Sequence, residues 1–305
     1  MLNPHTALFI KAAQKLGVGY RIVNPPTLVR FTKNGKSTLI YRTQIEANAL
    51  IPSLLCLSKY QTNLTLRKAK LPVPKQLCCQ SAEDARTAVK EIGFPLVVKP
   101  LKGLGGKYVT VNIKSETELR KAVNQVLKEH RGFVVEKFCQ GKDYRFLVLK
   151  GKLIGIVKRE PPTVTGDGKH SVRQLLMIGN PKLPIDAELR QTLTRRGLQL
   201  NSVPQTGIVV KLRKNANITT GADSSTVTNN TIHPDLRKLA IKAVSVMGMS
   251  FAGVDMLIKN PKKPRKDNAV ILELNSQPGI DIHERPDKGI PQPVAETILR
   301  YLLHL

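Results

Sequence analysis

The chain has 305 residues, 41% of them apolar and 23% charged, and its 49 Lys+Arg against 22 Asp+Glu give a formal net charge of +27. These proportions exclude a collagen, a wholly disordered chain and a disulfide-built miniprotein, and the length predicts about two domains. So strong a charge favours phosphates, nucleic acids or acidic substrates, but with aromatics at 4% and no Trp the stacking surface of a single-strand reader is lacking.

Periodicity predicts an amphipathic helix over 4–16 closed by Gly17, strands near 21–23 and 26–31, and an Asn34-Gly35 hairpin turn into a strand over 38–41. A helix over 57–71 stops at Pro72-Val73-Pro74, because proline cannot donate to the helix ladder. Ser81 caps a helix over 81–91 with Asp84 at its third position. A buried strand over 94–100 then leads through a glycine-rich loop, 103–107, into a strand over 108–113, a helix over 115–128 with a Ser115/Glu118 capping box, and a strand over 133–138. A glycine loop between two strands opens no helix, so it is neither the dinucleotide fingerprint nor a Walker loop. Strands follow at 144–149, 153–158, 209–212, 253–258 and 269–274, with helices at 172–178, 186–196, 233–247 and 293–302. The expected class is α+β, mostly antiparallel.

No apolar run approaches the ~18 residues that span a bilayer, and no secretory signal opens the chain, so a cytoplasmic protein without membrane contact is expected. Cys56, Cys78, Cys79 and Cys139 lack metal-ligand spacing and read as free thiols of a reducing compartment, the Cys78-Cys79 pair buried and inert. His170 precedes the helix cap Ser171 and reads as structural, while the basic, proline-broken stretch 259–266 reads as a solvated loop. A homo-oligomer is compatible with the sequence.

Chemistry concentrates at two places. Asp255 on one strand, with Glu273 and Asn275 two residues apart on the next, would present three oxygen ligands at one sheet surface. Such a hard-oxygen set suits Mg2+ bound with nucleotide phosphates. Lys99 ends a buried strand before the glycine loop, where ammonium and backbone amides can together hold a phosphate tail.

Val98-Lys99-Pro100 with the glycines after it, Val134-Val135-Glu136-Lys137-Phe138, Gly141-Lys142-Asp143-Tyr144-Arg145, Ala252-Gly253-Val254-Asp255 and Glu273-Leu274-Asn275 occur in that order. Together they resemble the ATP-grasp carboxylate–amine ligases. The stretches 161–171 and 212–221 are similar to those of cyanophycin synthetases and of the ligase half of bifunctional glutathione synthetases. The resemblance implies an ATP-grasp fold in which two α+β lobes clasp ATP. A short N-terminal α/β module over 1–57 would precede a small lobe over 58–135 and a metal-bearing lobe over 136–305.

By the same resemblance, Glu136, Lys137 and Cys139 would meet adenine and Asp143 the ribose. Lys59 and Lys99 would hold phosphates under Gly103, Gly105, Gly106 and Lys107, and Asp255, Glu273 and Asn275 would bind Mg2+, for which Mn2+ could substitute. Arg145, Arg159, Lys211 and Arg213 would face the acyl phosphate and substrate carboxylates. Many members carry an arginine two residues before the first metal Asp; here that position is Gly253, which would leave its task to Arg213 or Arg159. A two-step polymerase is not expected, since no Mur-ligase-like module follows Leu305 in this sequence.

The implied activity is ATP-dependent joining of a carboxylate to an amine of an amino acid or small peptide, with an acidic donor favoured by the charge. The rival reading is a nucleic-acid-binding or acidic-partner-binding protein on a degenerate scaffold, which has the net charge in its favour and the complete metal-ligand set against it.

Overall fold

The computed structural model describes residues 2–101, 108–181, 183–213 and 221–305. Contacts divide the chain into a first unit, Met1–Lys102 with Tyr108–Lys158 and Ser225–Leu305, and a second, Gly103–Lys107 with Arg159–Ser224.

The first unit opens with α1 (Pro4–Leu16), capped by the Asn3 side chain and closed by Gly17 at φ +61°, a left-handed conformation that suits glycine. Strands β1 (Gly19–Asn24), β2 (Leu28–Lys33), β3 (Lys36–Tyr41) and the short β4 (Gln44–Ile45) form an antiparallel meander in that order. Asn34 and Gly35 both take positive φ in its hairpin turn, as the dipeptide predicts. Phe9 of α1 meets Phe31 of β2 with ring centroids 6.3 Å apart, and each ring taken out of water contributes about 2–3 kcal/mol.

The helix expected over 57–71 is α3 (Lys59–Lys68), and a helix the sequence reading did not foresee, α2 (Leu50–Cys56), precedes it. Ser58 takes an extended backbone between them and its hydroxyl accepts from Gln61 N, so a capping residue interrupts the helical run. A strand absent from the sequence reading, β5 (Gln76–Cys79), precedes α4 (Ala82–Ile92), whose Ser81/Asp84 capping box is complete. Then come β6 (Leu96–Pro100), β7 (Thr110–Ile113), α5 (Glu116–Leu127) and β8 (Phe133–Lys137). Ser115 caps α5 as expected, but the Glu118 carboxylate accepts from Lys114 N, one residue before the cap. The four strands lie in the order β5-β8-β6-β7, all antiparallel, with α4 and α5 covering one face. Alternation along β5 buries Cys79 among those helices and exposes Cys78, so the expectation that both thiols are buried is corrected.

β9 (Lys142–Leu149) and β10 (Lys152–Glu160) form a hairpin. The second unit follows with β11 (Thr163–Thr165), α6 (Val172–Gly179), α7 (Ala187–Thr194) and β12 (Val209–Lys211). Its own core holds Val164, Val172, Leu176, Leu189, Leu193 and Val210. Ser171 and Gln174 form a full capping box on α6, and the ring of the neighbouring His170 lies 2.6 Å from Asp167 Oδ2, a local turn contact.

After β13 (Asp223–Thr226) the first unit resumes with α8 (Pro234–Val246), β14 (Phe251–Ile258), β15 (Ala269–Asn275), the single turn α9 (Asp281–Glu284) and α10 (Val294–Leu303). The central sheet runs β13-β10-β9-β14-β15. One face of its β9 and β14 strands, with Phe146, Val148, Val254 and Met256, packs on Leu236, Leu239 and Ala240 of α8. At one end of the opposite face Leu147 and Leu149 are covered by α1 and α10. The rest of that opposite face carries charge. Among the described residues no helix is long and apolar enough to cross a membrane.

Candidate active site

On the charged face, β14 lies between β9 and β15 and pairs Asp255 with Arg145 on one side and with Glu273 on the other. Residues paired directly across antiparallel strands share a face, so the three side chains form a row. Asn275, two residues beyond Glu273, extends it. A bulge makes this possible: Met256 pairs with Ile271, so an unbroken ladder would set Asp255 opposite Leu272. The extra residue shifts the register by one and puts Glu273 there instead.

The row is in contact. Arg145 grips Asp255 with two bonds of 2.7 Å, Nε to Oδ1 and Nη2 to Oδ2. Asn275 Nδ2 lies 3.4 Å from both Asp255 Oδ2 and Glu273 Oε1. The two carboxylates and the amide therefore converge, as the strand spacing predicts. Among the described residues no group of three or more His, Cys, Asp or Glu is placed to hold a metal; this set is two carboxylates and an amide. Such hard oxygen donors fit Mg2+.

Beside the row, the position two residues before Asp255 is closed. A Cβ on Gly253 would lie 2.8 Å from Pro278 Cβ, so no arginine fits there without moving the chain. A Cβ on Gly279 would stand 3.9 Å from Arg145 Nη1.

The second charged cluster is on the β5-β8-β6-β7 sheet, on the face turned away from α4 and α5. Lys99 on β6 meets Glu136 on β8, Nζ to Oε2 2.7 Å, with both side chains buried. Desolvation offsets most of the attraction in such a pair, so its worth lies in holding a cation at a fixed point. Lys59 begins α3, and the Gln76 side chain donates to the carbonyls of Lys59 and Tyr60 at 3.4 Å each, tying that helical turn to β5. Burial holds the Lys59 ammonium below the ordinary lysine range, Glu273 and Glu136 pull it back up, and Lys99 pushes it down. One ammonium thus feels Lys99 and Glu136 of the one cluster and Glu273 of the other.

Cys139 and Asp143 lie on the segment that leaves β8. The Cys139 thiol is pushed up chiefly by burial, then by Glu136, against the lowering fields of Lys137, Lys259 and Lys99. The Lys137 ammonium donates to the carbonyls of Gly93 and Phe94 at 3.1 and 2.8 Å, and its backbone N–H to the Lys75 carbonyl at 2.9 Å. Asp143 shares the Arg145 face of β9, two residues away.

The other predicted site residues belong to the second unit. Arg159 is buried, and Lys211 is exposed opposite Thr163. Arg213 is fully buried, with Nη1 on Glu188 Oε2 at 2.8 Å and Nη2 on Asp186 Oδ2 and the Pro184 carbonyl at 2.9 Å. Burial raises the Asp186 pKa, but the Arg213 bond and backbone donors outweigh it and hold the carboxyl low. Gly103, Gly105, Gly106 and Lys107 lie outside the described residues.

Sequence reasoning did not foresee the Arg145–Asp255 grip or the role of Gln76. The first was within reach, since aligning β9 with β14 puts residues 145 and 255 opposite. The second depends on a strand whose sequence, Gln-Leu-Cys-Cys, carries no clear signal.

Residues 64–143 match the ATP-grasp domain family and residues 208–302 the RimK-like ATP-grasp domain family. The chain is 29% identical over 316 residues to cyanophycin synthetase from Nostoc sp., covering 99% of this chain and 35% of that protein. It is 30% identical over 328 residues to the glutathione biosynthesis bifunctional protein GshAB from Clostridium perfringens, covering 99% of this chain and 41% of that one. It thus spans roughly two fifths or less of the length of these relatives. The crystal structure of a bifunctional glutathione synthetase from Pasteurella multocida superposes with a TM-score of 0.73 at 24% identity, over 99% of this chain and 43% of that one, and shows the shared fold. One matched domain holds the Lys99–Glu136 pair and the other the Asp255, Glu273 and Asn275 row, so sequence and geometry agree that the chain belongs to the ATP-grasp family.

Proposed function

We propose that this chain is an ATP-dependent, ADP-forming carboxylate–amine ligase that joins amino acids or small peptides. The observation that carries the reading is the convergence of Asp255, Glu273 and Asn275 on one sheet face, each matched domain contributing one charged cluster, this row and the buried Lys99–Glu136 pair. A substrate carboxylate attacks the γ-phosphate to give an acyl phosphate and ADP, and the amine then displaces phosphate. A free carboxylate resists an amine because the anion repels it and oxide is a poor leaving group; phosphorylation removes both obstacles.

In this reading the lobes run 58–135 and 136–305, after a module over 1–57. Glu136 and the backbone near Lys137 and Cys139 receive adenine, Asp143 takes the ribose hydroxyls, and Lys59 and Lys99 hold the phosphates. Asp255, Glu273 and Asn275 would hold Mg2+, or Mn2+ in its place, which when bound neutralises phosphate charge. Arg145, preset by Asp255 beside Gly279, faces the reacting carboxylate, and Arg159 and Lys211 are the further cationic candidates. Arg213, engaged by three acceptors in its own unit, is read as that unit's internal post. The residues supply positioning and charge neutralisation, and no nucleophilic Ser or Cys is required. The net charge of +27 supports an acidic donor.

The test is ADP release coupled to product mass over a panel of amino acids and dipeptides. ADP and a product lighter than its two substrates by one water are expected; AMP with pyrophosphate would rule the acyl-phosphate route out.

A further inference from the structure

The tip of the β14–β15 hairpin is the solvated loop its sequence suggests, with most of 259–267 exposed, but it is tied by internal bonds. Asn268 is buried, and its amide donates to the carbonyls of Asn260, Lys263 and Pro264 at 2.9, 3.0 and 2.9 Å while its oxygen accepts from Asn260 N at 2.8 Å. Arg265 N donates to Asp235 Oδ2 at 2.8 Å, and His233 N to the Pro261 carbonyl at 2.7 Å, pinning the tip to the start of α8. This many internal bonds fix the backbone that sets the directions from which the hairpin's side chains project.

Those directions concentrate positive charge. A cavity of about 990 Å3 is lined by Lys259, Arg265 and Lys266 from the hairpin and by Arg67 and Lys70 from the end of α3. Its floor includes Phe138 and Cys139, and Asp267 is the acidic residue in the wall. Lys259 Nζ donates to the Asp267 carbonyl, and Arg265 stands 3.8 Å from Asp235. Arg67, Lys70 and Lys266 form no ion pair among the described residues. The C-terminal end of a helix favours cations and accounts for Arg67, but not for three more on a separate hairpin. Like charges gathered around an open hollow repel, all five being exposed at its rim, and the arrangement becomes favourable when an anion enters.

We propose that this cavity binds a compact polyanion, a small molecule or short peptide with about three phosphate or carboxylate charges, at cations that are not assigned to ATP, the lining meeting the proposed nucleotide residues only at Cys139. Its volume falls in the range of small-ligand sites, roughly 300–1,000 Å3. A nucleic acid would call for an extended stripe and stacking rings, and the wall supplies neither.

The test is isothermal titration calorimetry on the full chain with sodium tripolyphosphate and with a tetra-aspartate peptide, at low and moderate salt, with and without saturating Mg-ATP. At least one probe should bind, with affinity falling as salt rises, and should bind equally with Mg-ATP present. The stronger probe tells phosphate from carboxylate. Charge reversal by Lys70→Glu with Lys266→Glu should weaken binding by about tenfold or more, while the same charge change by Arg21→Glu with Lys36→Glu on the first sheet should alter it by less than about twofold. Should the first pair fail to fold, Lys70→Gln with Lys266→Gln carries the comparison with a loss of about threefold expected. Equal losses from both pairs, no binding of either probe, displacement by Mg-ATP, or tighter binding of a single-stranded oligonucleotide would each overturn the proposal.

Discussion

Two arginines in this protein each hold carboxylates at hydrogen-bond distance, and they do opposite things. In the first unit the carboxylate is the deeper partner: Asp255 is 3% exposed and Arg145 12%, and beside them Glu273 adds another negative charge while Asn275 turns its amide nitrogen to both carboxylates. In the second unit the arginine is the deeper partner: Arg213 is 0% exposed, Asp186 and Glu188 are 45% and 41% exposed, and a backbone carbonyl accepts from the same guanidinium. In the second cluster both terminal nitrogens of the cation are held by protein acceptors, Nε alone lacking a partner among the described residues, and the anions reach water. The first sets the buried Asp255 and the half-buried Glu273 on one face with a single guanidinium, an excess of negative charge that favours a further cation. Burial of the anion, rather than the presence of an ion pair, distinguishes a candidate site from a structural post.

The largest effect that could break this contrast comes from Asp255→Asn. Removing the carboxylate should lower kcat/KM for ADP release by about a thousandfold, and raising Mg2+ should not restore it. A near-normal rate would put the metal elsewhere. Next in size is Lys99→Met, which should reduce ADP release by about a hundredfold and, by stranding the buried Glu136, cost about 3 kcal/mol of stability. Adding Glu136→Gln should return most of the stability and none of the rate, separating the fold's need for the pair from the reaction's need for the lysine. Recovery of both would mean that Lys99 serves the fold alone.

The second cluster gives the reverse pattern. Arg213→Met should lower stability by about 2–4 kcal/mol, read by thermal or denaturant unfolding, and Arg213→Lys should restore little, since an ammonium cannot span two carboxylates and a carbonyl as a planar fork does. A variant as stable as the parent yet unable to release ADP would make Arg213 a participant in the reaction.

The contrast also marks how far the sequence could be read. Asp255, Glu273 and Asn275 were legible because strand alternation is a local rule, and so were the caps at Ser81, Ser115 and Ser171, where one side chain meets backbone three residues on. The partner of Asp255 was half legible, because Arg145 lies 110 positions away and the Leu272 bulge that fixes the row has no signature of its own. Arg213 was illegible as a post. Its partners lie 25 and 27 positions upstream, and a basic residue after a strand looks alike whether it faces a substrate or a core. The start of α3 was set two residues early, at Leu57, because Leu57 and Lys59 both suit a helix and the cap Ser58 was counted within it. The pattern is physical: contacts within about four residues are written in spacing, while the closure of a distant pair is written in register.

The smallest effect sharpens the same distinction on the β5 strand, whose two faces carry adjacent cysteines. Cys78 shares the side of Gln76, which pairs with Glu136, and is exposed, whereas Cys79 faces the helices and burial pushes its thiol up to about 12. Cys56 is likewise pushed up by burial, to about 11. At pH 8 a thiol of pKa near 12 is ionised to only about one part in ten thousand, so Cys79 and Cys56 should stay unlabelled by iodoacetamide while Cys78 reacts first, as peptide mapping would read. Raising the pH toward 11 should bring in Cys56 before Cys79, because the thiolate is the attacking form and the lower pKa ionises first. If Mg-ADP then slows labelling of Cys139 and leaves the Cys78 rate unchanged, the nucleotide lies along the segment that leaves β8; if both rates fall together, it does not, and the polar face of this sheet has another occupant.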